Sequence, residues 1–364
     1  MPTQLDHYRL LGRSGLRLSP LSLGTMNFGV GQGGWGAEDR DAGQIFNHYL
    51  ECGGNSIDTA NFYGNGGSEQ LLAKLIDGRR EQLVLATKYT LSMRRGDPNA
   101  SGNHRKNMVQ SVENSLRRLQ TDFIDLLYLH VWDGRTPVEE ILRAFDDLVR
   151  AGKILYAGLS DTPAWQASRM QAIAELRGWS PLVALQVPYN LTERTVEREL
   201  LPMALEMGMS VLPWSPLAGG VLSGKYGSQD LGPAVALAPA GAPGAAQAVS
   251  RKNINIATGR LSERNLGIAA VLKTVAQEMN RPPAQVAVAW TLRHPAVISP
   301  IIGARTLVQL KENLACLQIT FTDEQIAQLD AASRIDPGFP HTMLTSAAIP
   351  SMFGHVTVAA ATRT

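Results

Sequence analysis

The stretch SVENSLRRLQTDFIDLLYLH, residues 111–130, changes period in its middle. Leu116 and Leu119 stand three apart, as residues on one face of a helix do. Beyond them the spacing collapses into a continuous apolar run of the kind a strand needs when both of its faces are buried. A helix feeding a doubly buried strand is half of a parallel βα repeat, and the same unit recurs on both sides. Strands are expected near 21–24, 55–58, 83–87, 123–129, 154–160, 184–188, 209–213 and 297–301. Helical patterns fall near 39–52, 68–77, 104–119, 137–151, 163–177, 194–207 and 262–279, with more helix near 283–293 and after 305.

Eight strands, all but the last pair separated by one helix-sized segment, argue for a parallel sheet, either an open doubly wound sheet or a (β/α)8 TIM barrel. The count of eight and the length of 364 residues favour the barrel. The start, YRLLGRSGLRLSPLSLG, reads as two short strands around a Gly-Arg-Ser-Gly turn and then a third strand, so that a β-hairpin plugs the N-terminal mouth. The whole chain, 1–364, is expected to form a single domain. Two connections break the rhythm. One is the loop 89–103; the other runs from about 214 to 261 and contains GPAVALAPAGAPGAAQAV, which predicts a mobile Ala/Gly/Pro-rich insertion near 228–258.

Composition narrows the function classes. Hydrophobic residues make up 44% and charged residues 18%, with a net charge of +2, so no electrostatic case exists for nucleic acid or an anionic membrane as partner. The two cysteines, Cys52 and Cys316, form no C-x-x-C pair, and no metal site or disulfide framework is suggested. No signal-peptide core and no membrane-length apolar run is present, which makes the cytoplasm the expected compartment.

GQGGWG, residues 31–36, matches the G-x-G-x-x-G dinucleotide fingerprint, with Asp58 about twenty residues on. Its context disagrees. Five residues, Met26 to Val30, separate the strand from the first glycine, and Glu38 and Asp39 open the next helix where a pyrophosphate would need an end free of negative charge. A glycine loop above a barrel is the better reading.

Four polar residues fall at strand ends or just beyond. Asp58 ends the second barrel strand, Lys88 the third and His130 the fourth, while Tyr63 lies in the loop after Asp58. In a (β/α)8 barrel all four converge on the C-terminal mouth. Each alone could be a strand-capping lysine, a backbone-satisfied histidine or a surface tyrosine; four on one rim suggest proton transfer with charge stabilisation. A tyrosine titrates near about 10, and a neighbouring ammonium favours its phenolate and is expected to lower that value. Asp58 would hold Lys88, and His130 would donate to a developing oxyanion.

At these residues the chain resembles the aldo-keto reductases, from LGRSGLRLSPLSLGTMNFG to IIGARTLVQLKENL. GNHRKNM, TPVEEILRAFDDLVRAGKI and GLSDTPAW look most like the branch that includes aryl-alcohol dehydrogenases. The resemblance implies a barrel that binds NADPH or NADP+ without a Rossmann fold, with a catalytic tetrad of Asp58, Tyr63, Lys88 and His130 in which Tyr63 is the general acid in reduction and the base in oxidation. It also implies that Ser160, Asp161 and Gln186 hold the nicotinamide carboxamide and that Trp214 stacks on the ring. Ser215, Leu217, Gly219 and Gly220 would wrap the pyrophosphate, with Lys225 close by. Gly303 and Arg305 would approach the 2′-phosphate, and Gln309 and Asn313 the adenine. Asp161 stands where Asn is more usual, and an ionised carboxylate accepts but cannot donate.

Pocket walls are expected from Met26, Asn27, Phe28, Trp35, Tyr89 and Trp132, large and mostly apolar, suiting an aromatic aldehyde or a bulky or alicyclic ketone as the small-molecule partner. Two other readings stand beside the reductase. One is a cofactor-binding regulatory subunit resembling those of potassium channels, against which the lack of an added N-terminal segment speaks. The other is a lyase or aldolase with a Schiff base on Lys88, which needs a lysine of depressed pKa where Asp58 would push it up.

Overall fold

The computed structural model describes residues 4–29, 36–232, 250–344, 354 and 356. An antiparallel pair, β1 (Arg9–Leu10) and β2 (Arg17–Leu18), comes first. Strand and helix then alternate through β3 (Ser22–Gly24), α1 (Asp39–Glu51), β4 (Ser56–Asp58), α2 (Gly67–Ile76), β5 (Val84–Tyr89), α3 (Arg105–Leu119) and β6 (Ile124–Leu129). They continue through α4 (Val138–Arg150), β7 (Ile154–Ser160), α5 (Ala164–Arg177), β8 (Leu182–Gln186), α6 (Leu200–Glu206) and β9 (Ser210–Val211). Three helices, α7 (Arg251–Ala257), α8 (Glu263–Glu278) and α9 (Pro283–Thr291), precede β10 (Ile301–Ile302); α10 (Leu307–Leu314), α11 (Asp323–Ser333) and α12 (His341–Leu344) follow it.

Eight parallel strands run in the order β10-β3-β4-β5-β6-β7-β8-β9. A parallel bridge between Val211 and Val297, with Ile298 N donating to Val211 O, ties β9 to the segment entering β10. The curled sheet and its helices make a (β/α)8 barrel. Its register follows the period of two. Val84 and Ala86 of β5, Leu126 and Tyr128 of β6, and Leu212 pack in one interior cluster, while Leu85, Leu127 and Leu129 pack in the clusters that include the surrounding helices. Lys88 and His130 extend the inward rows of β5 and β6 by two residues, which carries them to the C-terminal mouth. Leu11 and Leu18 of the hairpin region are fully buried in the same interior cluster, and Gly12 N donates to Ser210 Oγ at 2.7 Å, so the hairpin closes the opposite end.

The stretch that sets the period behaves as its pattern demands. Met108, Val112, Leu116 and Leu119 form the buried face of α3, His104 caps its start by accepting from Asn107 N, and Gln120 ends it in the left-handed region at φ +52°. All six residues of β6 are buried. The helix expected over 194–207 is instead a 3-10 turn at Thr195–Glu197 followed by α6. Arg194 explains the break: it grips Glu197 through two bonds of 2.9 and 3.0 Å and lies 5.0 Å from the Trp290 ring centroid, which pins the turn to α9. The last two barrel strands are shorter than expected, Ser210–Val211 and Ile301–Ile302. Within the insertion expected near 228–258, a turn at Ser228–Asp230 and α7 are ordered elements, and 233–249 lie outside the described residues. Among the described residues no helix is long and apolar enough to cross a membrane.

Candidate active site

The parallel ladder sets the rim. Gly24 lies opposite Asp58, Asp58 opposite Ala86, and Lys88 opposite Tyr128, so Asp58 and Lys88 come from neighbouring strand ends. Lys88 Nζ donates to Asp58 Oδ1 at 2.5 Å, to Thr59 O at 2.8 Å and to the Tyr63 hydroxyl at 3.4 Å. All three of its donors are thereby directed, as a fully buried ammonium requires. Tyr63 is half-buried in a short turn after β4, in which Gly64, Asn65 and Gly66 take φ of 56°, 53° and 93° and lead into α2. Its ring meets that of His130 edge to face, with centroids 6.0 Å apart at 81°.

The electrostatics differ from the expectation at one point. Desolvation raises the Tyr63 pKa more than the Lys88 charge lowers it, and Asp58 and Asp161 push it further up. The phenol is therefore held protonated at neutral pH; Lys88 only limits the rise. Burial also works against the Lys88 charge, but Asp58 and Tyr63 together outweigh it and set its pKa above the ordinary value. A lysine held in its charged form is a poor Schiff-base nucleophile. Burial, and then the Lys88 cation, push His130 down to about 3, so the ring is neutral, and its buried Nδ1 has no partner.

Across the mouth, Ser160 and Gln186 are buried and lie opposite each other in the β7–β8 register. The Gln186 amide is engaged, donating to Asp58 Oδ2 at 2.8 Å. Asp161 follows in the left-handed region at φ +40° and reaches solvent. Its Oδ1 accepts from Trp214 Nε1 at 3.0 Å, and partial desolvation raises its pKa against the pull of that bond and of Lys88. Asp161 and Trp214 thus stand together on one side of the mouth, facing the Lys88–Tyr63 side.

The donor set beyond Trp214 suits a polyphosphate. Ser215 Oγ accepts from Gly219 N, and Gly219 and Gly220 have φ of 65° and 91°. A Cβ on Gly220 would lie 3.0 Å from Lys225 Nζ, so the glycine keeps that ammonium close to bare backbone. Leu217 is half-buried against the core. Lys225 has its pKa lowered by burial and then by Arg305 and Arg251, and Arg251 by burial and then by Arg260 and Arg305. Cations that repel one another around a glycine loop make a site whose charge an anion would relieve. At the far end, Gln309 Oε1 accepts from Arg305 N at 2.9 Å and Asn313 Nδ2 donates to Gly303 O at 3.2 Å, so both residues brace the loop that presents Arg305.

Two of the expected pocket walls are displaced. Phe28 is fully buried in the cluster beneath α1 and α2, and Tyr89 is fully buried outside the barrel, edge to face with Phe145 and donating to Asn103 O. Tyr89 is one residue past Lys88, and the strand period turns it to the opposite face. Asn27 is buried and donates to Ala304 O, joining the first and last barrel loops. Met26 is exposed and Trp132 half-buried at the rim, and Trp35 lies outside the described residues together with residues 31–34 of the glycine stretch. Arg251, Arg260 and Tyr128 were not singled out from sequence. Arg260, 5.8 Å from the Trp214 ring centroid, and Arg251 border a low-complexity stretch that carries no motif, and Tyr128 is hidden within an apolar run. Among the described residues no cluster of His, Cys, Asp and Glu could hold a metal.

Residues 20–334 match the model of the aldo/keto reductase family. The chain is 36% identical over 353 residues to a norsolorinic acid reductase of Aspergillus flavus, covering 94% of this chain and 85% of that protein. It is 34% identical over 349 residues to an aryl-alcohol dehydrogenase of Pestalotiopsis microspora, covering 93% and 85%. It is 36% identical over 335 residues to an uncharacterized oxidoreductase of Bacillus subtilis, covering 89% and 94%. A barrel whose mouth joins a buried lysine to an aspartate and a tyrosine, and a sequence that matches across nearly its full length, make this chain an enzyme of the aldo/keto reductase family.

Proposed function

We propose that the protein is an NADP(H)-dependent oxidoreductase that interconverts a carbonyl, an aromatic aldehyde or a bulky or alicyclic ketone, with its alcohol. The observation that carries this reading is Lys88, whose ammonium bonds Asp58 on one side and reaches the Tyr63 hydroxyl on the other. Bound NADPH would supply the hydride. In reduction Tyr63 gives its proton to the carbonyl oxygen, and in oxidation its phenolate takes the alcohol proton. The neutral His130 ring beside Tyr63 offers an N–H to the same oxygen. Asp161 and Trp214 would hold the nicotinamide end; Lys225, Arg251, Arg260 and Arg305 would hold the phosphates. Relatives named for norsolorinic acid and for aryl alcohols support an aromatic substrate.

The first experiment is a titration of tryptophan fluorescence with NADPH and with NADH. Saturable binding that favours NADPH, followed by turnover of aromatic aldehydes that Tyr63→Phe abolishes, is the expected result. Binding of neither nucleotide would remove the hydride chemistry.

A further inference from the structure

Asp58 uses both carboxylate oxygens, and its two partners come from opposite walls of the barrel. Oδ1 takes Lys88 of the adjacent strand at 2.5 Å, and Oδ2 takes the Gln186 amide at 2.8 Å. In the closed order, β4 and β8 are four strands apart of eight, so the Gln186 bond crosses the lumen. Asp58, Lys88 and Gln186 expose 4%, 1% and 2% of their surfaces, which leaves little water to replace a lost donor. Next to them stands the buried Tyr128, the register partner of Lys88, whose ring lies so close to Gly158 that a Cβ there would be 2.7 Å from its Cε1.

A buried ion pair holds its charges only when the remaining lone pairs are also satisfied. Lys88 cannot serve Oδ2, because its other donors go to Thr59 O and Tyr63. We infer that Gln186 is a positioning residue that holds Asp58, and through it Lys88 and the Tyr63 proton, rather than only a contact for the cofactor. The inference rests on the reading of Tyr63 as the acid–base group.

Two roles for one side chain make opposite forecasts. If Gln186 positions Asp58, Gln186→Met lowers kcat for reduction of 4-nitrobenzaldehyde by about tenfold or more while the NADPH Kd stays within about twofold. Gln186→Glu then gives a distinctive pH signature: activity recovers as pH falls, because the introduced carboxyl becomes a donor to Asp58 only when protonated. A Gln186→Met variant that weakens NADPH about tenfold with kcat unchanged, or a Gln186→Glu variant with a wild-type pH profile, would overturn the proposal. A stability cycle needs no turnover. Gln186→Met should lower the thermal midpoint in the wild-type background and much less in Asp58→Asn, and additive effects count against the inference. If the wild type binds no NADPH while the cycle is coupled, the hydride reading fails and the positioning of Asp58 stands.

Discussion

The ammonium of Lys88 lies 3.4 Å from the Tyr63 hydroxyl and 5.0 Å from the centroid of its ring. Such a neighbour stabilises a phenolate, yet the pKa of Tyr63 is raised, because desolvation outweighs the cation. The consequence for rate has opposite signs in the two directions. Reduction needs the phenol, so kcat should be flat through neutral pH and fall above the raised pKa. Oxidation needs the phenolate, so kcat should climb with pH up to that same pKa. Tyr63→Phe should lower both by about 10²–10⁴-fold and leave NADPH affinity nearly unchanged. Profiles in both directions, with the variant alongside, check the assignment, and a variant that keeps most of its activity refutes it.

Lys88→Met should be costly to stability as well as to activity. It leaves the Asp58 carboxylate buried with one donor, and breaking a buried pair typically costs about 3–5 kcal/mol. Adding Asp58→Asn removes the stranded charge, so the double variant should be more stable than Lys88→Met alone. Urea denaturation of the three proteins decides it; a double variant that is worse than either single would mean the pair is not the source of the loss.

His130 gives the acid limb. Its folded pKa is depressed to about 3, below the ordinary value of 6.5, so between those values the unfolded chain binds a proton that the folded chain does not. Stability therefore rises with pH across that window and is lost as pH falls below about 6.5. Each unit removes at most about 1.4 kcal/mol, and less here because the ring is partly exposed. His130→Gln should flatten this slope between about pH 6.5 and 4 in denaturation midpoints; an unchanged slope would place the acid sensitivity elsewhere.

Much of this architecture is legible in the sequence because the strand period does the placing. The apolar run through Leu129 fixes β6, and Lys88 and His130 then belong to the inward rows by counting in twos. The same count argues against Tyr89 as a pocket wall, since it neighbours Lys88 and must face outward, where it is buried. The Gln186–Asp58 bond is less accessible, because no local pattern tells which of two ends of a carboxamide meets which residue 128 positions away. Nor does the sign of the Tyr63 shift follow from residue types: it depends on how deeply the ring is desolvated.

The cationic cluster should discriminate between nucleotides. Lys225, Arg251, Arg260 and Arg305 interact by charge or crowd the same loops, and the 2′-phosphate of NADPH is the feature that NADH lacks. Arg305→Ala should weaken NADPH by about tenfold or more, the loss of a charge-assisted contact, with a much smaller effect on NADH. The NADPH affinity should also fall with added salt more steeply than that of NADH. Equal losses for the two nucleotides would remove the phosphate role of Arg305.

Asp161 is a carboxylate at the mouth that makes no ion pair among the described residues. Asp58 is paired with Lys88, His130 is neutral and Tyr63 is protonated, whereas Asp161 makes no ion pair among the described residues and bonds the neutral indole of Trp214. Beside Trp214, Asp161 thus adds a negative charge that no ion pair takes up. If the nicotinamide lies against Trp214, that charge favours the oxidised ring, which is cationic, over the reduced ring, which is not. Asp161→Asn keeps an oxygen to accept from Trp214 Nε1 and removes only the charge, so the comparison is nearly isosteric. It should weaken NADP+ relative to NADPH by about three- to tenfold, a range suited to a solvent-reached charge at close distance. The ratio of the two dissociation constants, from tryptophan quenching of both proteins, measures this directly. A shift would mean that Asp in place of Asn tilts the enzyme toward holding oxidised cofactor and so toward alcohol oxidation; an unchanged ratio would mean the carboxylate is screened from the ring.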